Sequence, residues 1–219
     1  IGVGEATTLA NLIPKINNFT EVEFSGFDIS WSRIFLAKKY LAKKNNGEAK
    51  LFVSDLFNIA LKDSSVDVVY TAHSLEPNGG REKEALKELY RVTNNYLVLL
   101  EPAEEFASDE GKKRMRRNGY VTNLIETIKE LNYELVEYKQ FDVSANELNP
   151  TGLYIIKKNE INSINQNNNY QCPISKKKLK EFDDHFFSEH SLVSFPKIMG
   201  IPCLCDFYGI LTSKHNEEI

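Results

Sequence analysis

Ile1-Gly2-Val3-Gly4-Glu5-Ala6 opens the chain, and Gly26-Phe27-Asp28-Ile29-Ser30 places an aspartate 24 residues beyond Gly4. Glycines at alternate positions let a backbone turn tightly and come close to a ligand, and the helix expected over 7–16 offers free N–H groups behind them. Such a turn is weak by itself, since a plain tight turn has the same composition. Asp28 sharpens it. The acid falls at the end of the next expected strand, where a carboxylate can accept hydrogen bonds from both hydroxyls of a ribose. Asp55 falls at the corresponding end of the strand after that, followed by Leu56. Each aspartate alone could be a helix cap. Together with the turn they line one crevice and point to a nucleoside-like ligand.

Outward from this stretch, apolar runs alternate with helical periodicity through residue 158, the pattern of a mainly parallel sheet covered by helices. Strands are expected at 21–27, 50–53, 66–71 and 96–100, short and rich in Val, Leu and Phe, as strands buried on both faces are. Ser30 reads as the N-cap of a helix over 31–44, with Ile34, Phe35, Ala37, Leu41 and Ala42 on one side. Further helices are expected over 81–93 and 121–131. Strands at 135–143 and 153–157 follow without an intervening helix and should form an antiparallel hairpin at the sheet edge. The expected fold is α/β: a Rossmann-like sheet with helices on both faces, that terminal hairpin, and a small C-terminal α+β module.

Residues 159–169 hold six asparagines and two isoleucines, too little apolar surface to order a segment, and read as a linker between a body over 1–158 and a module over 170–219. The module is small for independent stability and should either dock on the body or hold a metal.

Composition narrows the function. Lys+Arg number 27 against Asp+Glu 31, with the signs interleaved, so no face is evidently built for a phosphate backbone and nucleic acid is not the expected partner. No apolar run nears the roughly 18 residues that span a bilayer. Three cysteines, an odd number gathered near the C-terminus, suit a reducing compartment, and a cytoplasmic location is expected. The chain starts without Met and reads as a fragment whose first strand lies upstream. A homodimer is compatible with all of this.

On these residues the chain resembles the class I S-adenosylmethionine-dependent methyltransferases over essentially all of 1–158. Gly2 and Gly4, with Val3 between them, match the glycines of that family's first motif. Asp28, followed by Ile29, matches the acid that holds the ribose. Asp55-Leu56 matches the acidic segment facing the adenine. Val66-Asp67-Val68-Val69-Tyr70 resembles the fourth strand. Ala6 replaces the third motif glycine, and the acid expected two positions before Gly2 would lie upstream. The resemblance implies S-adenosylmethionine as cofactor and methyl transfer to an oxygen or nitrogen of a small acceptor, with an anionic one as an open alternative.

In that family the segment after the fourth strand borders cofactor and substrate, and here it reads Thr71-Ala72-His73-Ser74-Leu75-Glu76-Pro77-Asn78-Gly79-Gly80-Arg81. His73 is the candidate base and a cofactor neighbour; Glu76 would orient it or an acceptor group. The same residues could merely cap a strand and make a turn. Glu101-Pro102 is a weaker candidate. Lys112–Arg117 packs five cations into six positions, a solvated helix face or, through Arg114 or Arg117, a grip on an anionic acceptor.

Two readings compete. A nicotinamide-dependent oxidoreductase would use a similar turn and acid, but Glu5 puts a negative charge where its pyrophosphate would sit. A catalytically silent scaffold would keep the fold and recruit a partner through the module. That module, through Cys172-Pro173 and Pro196-Lys197-Ile198-Met199-Gly200-Ile201-Pro202-Cys203-Leu204, resembles the small zinc-ribbon-like activator subunit of tRNA and protein methyltransferases. Ser175 stands where a zinc version carries a second cysteine. Cys172, Cys203 and Cys205 with His185 or His190 could still supply four donors, but Cys203 and Cys205 sit too close in sequence for the usual ligand loop. Buried thiols in a metal-free brace are the expectation, and no metal is assigned.

Overall fold

The computed structural model describes residues 1–17, 22–44, 48–143, 146–158 and 169–213. In chain order these form α1 (Thr7–Asn17), β1 (Phe24–Asp28), α2 (Trp31–Lys44), β2 (Ala49–Val53), β3 (Val66–Ala72), α3 (Glu82–Val92), β4 (Thr93–Pro102), α4 (Asp109–Arg117), α5 (Leu124–Glu130), β5 (Glu134–Gln140) and β6 (Thr151–Lys157). Short strands follow: β7 (Lys180–Glu181), β8 (His185–Ser188), β9 (Val193–Ile198), β10 (Ile201–Pro202) and β11 (Ile210–Leu211). Nearly every expected element up to residue 157 is present, with ends shifted by a few residues. The expected linker lies almost wholly outside the described residues.

The chain divides into two compact units, Gly2–Leu61 with Tyr170–Ile219, and Ile1 with Lys62–Asn169. This division differs from the boundary expected near residue 160, because the C-terminal segment packs with the first 61 residues.

In the first unit β1 and β2 run parallel, with Asp28 opposite Val53. Leu9, Ala10 and Ile13 of α1 are buried with Phe24 of β1 and with Ala37 and Leu41 of α2. Ser30 caps α2, its Oγ accepting the Arg33 N–H at 3.4 Å. A lone strand edge leaves backbone groups unpaired, and the C-terminal segment covers β2. Cys203 bridges Val53 in parallel fashion, and the Leu204 N–H donates to the Val53 carbonyl at 2.9 Å. Ile34, Val53, Ile201, Cys203 and Cys205 form one buried apolar cluster there. Trp31 Nε1 donates to the Ile198 carbonyl at 3.3 Å. The C-terminal segment itself is an antiparallel sheet in the order β10-β9-β8-β7, with β11 also on β9. Its described residues hold a 3-10 turn (Asp206–Tyr208) and no α-helix, a correction to the expected α+β module. The reason is a two-residue repeat, with Val193 and Phe195 of β9 buried and Ser194 and Pro196 less so.

In the second unit the strand order is β3-β4-β6-β5. β3 and β4 are parallel, and β6 is antiparallel to both β4 and β5. The expected hairpin is present, with β6 inside the sheet and β5 outermost. α3 passes into β4 with no loop, and the Thr93 hydroxyl donates to the Leu89 carbonyl at 2.7 Å. Lys158 finishes the helix electrostatically: its Nζ donates to the carbonyls of Tyr90 at 2.9 Å and Thr93 at 2.8 Å, placing a cation at the negative end of the α3 dipole. Ser108 caps α4 by accepting the Gly111 N–H.

Ile201→Ala deletes a fully buried side chain between β2, α2 and the C-terminal sheet. It should cost about 2–5 kcal/mol in the urea unfolding free energy, the usual range for emptying a packed aliphatic site. A change within error would mean that the C-terminal segment contributes nothing to the first unit.

Candidate functional site

The glycine turn is built as a series of left-handed residues. Gly2, Gly4 and Ala6 have φ of 61°, 54° and 60°. Glycine adopts this region freely, whereas Ala6 does so at a cost of about 1 kcal/mol, against which it buries its methyl with α1 and α2. The Val3 N–H donates to the Phe27 carbonyl at 3.0 Å, laying the turn beside β1. Gly26 makes this approach feasible, because a Cβ on it would fall 2.6 Å from Val3 Cγ1.

Asp28 ties the parts together. It is 8% exposed; one carboxylate oxygen accepts the Gly4 N–H at 3.1 Å and the other the Ser30 N–H at 3.0 Å. One bond per oxygen leaves acceptor capacity on both. The Ser54 N–H donates to the Asp28 carbonyl, which brings the ends of β1 and β2 together. Asp55 is two residues past the end of β2, half-buried, and its carboxylate accepts the Phe57 N–H at 2.9 Å. Leu56 is half-buried beside it, and Ile29 is exposed. Gly2, Val3, Gly4, Asp28 and Asp55 thus gather at the carboxyl edge of β1 and β2. Missed from sequence was Arg33, one turn into α2. Its Nε lies 3.2 Å from Glu5, so the negative charge expected to repel a pyrophosphate is paired.

The second unit holds the segment after β3. His73 has φ of 54° and its N–H donates to the Leu100 carbonyl. Its Nδ1 is 2.6 Å from Glu76 Oε2 and its Nε2 is 2.9 Å from Thr151 Oγ1. Glu76 therefore holds one ring nitrogen, and Thr151, which sequence reasoning missed, occupies the other. If Glu76 accepts from Nδ1–H, Nε2 is the basic nitrogen, with the threonine hydroxyl as its donor. Beneath the segment lies Glu101, fully buried. Its carboxylate accepts the N–H groups of Ser74 at 3.0 Å, Leu75 at 3.1 Å and Glu76 at 3.1 Å. Burial pushes this carboxyl up to about 7, against the opposing pull of its donors and of His73. Glu101, the weaker candidate from sequence, is the post that positions His73 and Glu76. Gly79 lets the segment reach the backbone of Gly119 and Tyr120, where a Cβ would meet the Tyr120 carbonyl oxygen at 2.5 Å.

The cationic run lies on α4, with Met115 fully buried and Arg116 and Arg117 exposed. Arg116 is paired with Glu104, and the Arg114 guanidinium lies 5.6 Å from the Tyr120 ring centre. A zinc donor set drawn from Cys172, Cys203 and Cys205 does not fit. Cys203 and Cys205 are buried in the apolar cluster against β2, and burial, helped by Asp55 and Asp206, pushes the Cys205 thiol up to about 12. A thiol must lose its proton to ligate zinc. Among the described residues no three His, Cys, Asp or Glu side chains converge as a metal site would require, and no helix is long and apolar enough to cross a membrane.

Residues 1–95, which include the glycine turn, both aspartates and the His73 segment, match the family model of a methyltransferase domain. Over this segment the chain is similar to a methyltransferase domain. The fold agrees. A SAM-dependent methyltransferase from Methanosarcina mazei superposes with a TM-score of 0.56 at 18% identity, covering 74% of this chain and 91% of that one. Magnesium protoporphyrin IX methyltransferase from Synechocystis PCC 6803, with bound SAH, gives 0.56 at 12% identity over 72% of this chain and 71% of the other. The cyclase SpnF gives 0.57 at 12% identity over 74% and 73%. These likenesses establish the Rossmann-like fold of SAM-dependent methyltransferases; since a cyclase shares it, the chemistry must be argued from the site. They lend no support to a nicotinamide-dependent oxidoreductase. No curated protein matches the sequence.

Two substitutions probe this geometry. Gly26→Ala must push Val3 and the glycine turn off β1, and should cost about 1–3 kcal/mol in urea unfolding. Glu101→Gln tests the buried carboxyl. Its folded pKa stands above the ordinary 4.5, so its contribution to stability is full below that value and is lost as pH rises through about 7. The stability gap between wild type and variant should therefore narrow between about pH 5 and about pH 8. A widening gap would mean that the three N–H donors, rather than burial, govern the carboxyl.

Proposed function

We propose that the chain binds S-adenosylmethionine at the carboxyl edge of β1 and β2 and transfers its methyl group to an oxygen or nitrogen of a small acceptor. The observation that carries the reading is the Asp28 carboxylate, buried, oriented by Gly4 and Ser30 N–H groups, and still able to accept from two hydroxyls. The donor set fits a nucleoside: a diol for Asp28, an exocyclic amine for Asp55, and at Gly4 no Cβ to stand in the way. Ile29 and Leu56 would flank the base with apolar surface.

S-adenosylmethionine supplies, when bound, an electrophilic methyl carbon on a sulfonium that departs as a neutral thioether. For an acceptor that must lose a proton, His73 Nε2 takes it, giving up its contact with Thr151, while Glu76 on Nδ1 stabilises the charge that forms on the ring. Glu101 keeps the segment's backbone in place so that neither side chain has to be ordered at the moment of reaction. The basic face of α4, with Arg114 and Arg117, offers partners for an anionic acceptor. The three thiols, all free and buried, suit a reducing compartment such as the cytoplasm.

Calorimetric titration with S-adenosylhomocysteine tests the reading. Asp28→Ala removes hydrogen bonds to a charged group and should weaken binding by about 2–3 kcal/mol, roughly 100-fold, with the folded circular dichroism spectrum retained. Absence of binding to the unmodified chain, or equal affinity of the variant, would sink the assignment.

A further inference from the structure

Two turns of the C-terminal segment share one construction. Cys172-Pro173-Ile174-Ser175 and Ser188-Glu189-His190-Ser191 have the same spacing of small polar side chains, and in each the first side chain accepts the backbone N–H three residues on. Ser175 N donates to Cys172 Sγ at 3.4 Å, and Ser191 N donates to Ser188 Oγ at 3.3 Å. In each, the next residue takes a left-handed conformation although it is not glycine, with φ of 57° at Lys176 and 53° at Leu192. The turns face one another. Cys172 Sγ lies 3.5 Å from Ser191 Oγ, and Ser175 Oγ lies 3.2 Å from Ser188 Oγ. Cys172 and Ser188 are fully buried. The thiol opposes its own burial with the hydroxyls of Ser175, Ser188 and Ser191, which on balance draw it below its usual range.

Paired turns that each offer two side chains three residues apart, meeting at one point, are how four-ligand structural zinc sites are assembled. Here a single corner is a thiol. Serine hydroxyls stay protonated near neutral pH and hold zinc poorly, so one thiol and three hydroxyls do not make a zinc site. They do make a closed set of donors and acceptors. We propose that this quartet is a metal-site scaffold whose hydrogen bonds do the cross-linking work of a metal ion, so that the native chain binds no zinc there and three Ser→Cys exchanges create a tetrathiolate site.

The experiment compares the native chain with the triple variant Ser175→Cys, Ser188→Cys, Ser191→Cys. Titrated with cobalt(II), the native chain should develop no thiolate-to-metal charge-transfer bands, and its urea midpoint should be unmoved by zinc or by chelator. The triple variant should bind one cobalt per chain with the charge-transfer and visible bands of a tetrahedral thiolate site, and zinc should displace it. Adding Cys172→Ser to the triple variant should weaken cobalt binding and change the spectrum to that of a three-thiolate site. Should the metal-free triple variant not fold, refolding from urea should recover it with zinc and not without. Stoichiometric zinc in the native chain, no cobalt or zinc-dependent refolding in the triple variant, or a cobalt affinity and spectrum unchanged by Cys172→Ser would each overturn the proposal.

Discussion

Backbone groups at the edge of β2 need partners, and the first unit is organised by how they are found. Residues more than 140 positions further along the chain lie against Val53 and supply a backbone donor together with a buried apolar cluster. An uncovered edge would leave N–H and C=O groups to water or to another chain. Covering it ties the C-terminal segment to α2 and β2 and holds Asp55 beside the covering residues. The segment that composition marks as an appendage is thereby part of the body.

The candidate residues of each unit rest on a second constraint, that buried carboxylates must be satisfied. Asp28 meets it with backbone donors from Gly4 and Ser30, and Glu101 with three from the segment after β3. Both acids use backbone N–H groups, which cost little entropy to order because the chain is already fixed there. Asp28 is thereby held at the glycine turn, and Glu101 beside His73 and Glu76. The two acids nonetheless differ: Asp28 keeps acceptor capacity for a ligand, whereas Glu101 is enclosed and acts on its neighbours.

Much of this was legible in advance. The Gly2-to-Gly4 turn, Asp28 and Asp55 were readable because strand ends punctuate the pattern at short range, and Ser30 because a cap sits next to the helix it starts. His73 and Glu76 lie three residues apart, so their contact was a local expectation. Thr151 was not legible: it lies 78 residues from His73 and opens a strand, where threonine is ordinary. Arg33 was hidden in a helix whose polar face reads as solvent, and Ser188 and Ser191 carry no signal until they are seen opposite Cys172 and Ser175.

From the order of its residues alone, the chain determined an alternating α/β body, a glycine turn with two acids behind it, and a terminal antiparallel pair, because these depend on periodicity and spacing within about 30 residues. Only the tertiary structure decided that residues 201–205 line β2, that Glu101 anchors the His73 segment, that Thr151 closes on its ring, and that two distant turns share a quartet of side chains. Such contacts depend on the path of the whole chain and on which buried polar groups must find partners, and no local window contains that information.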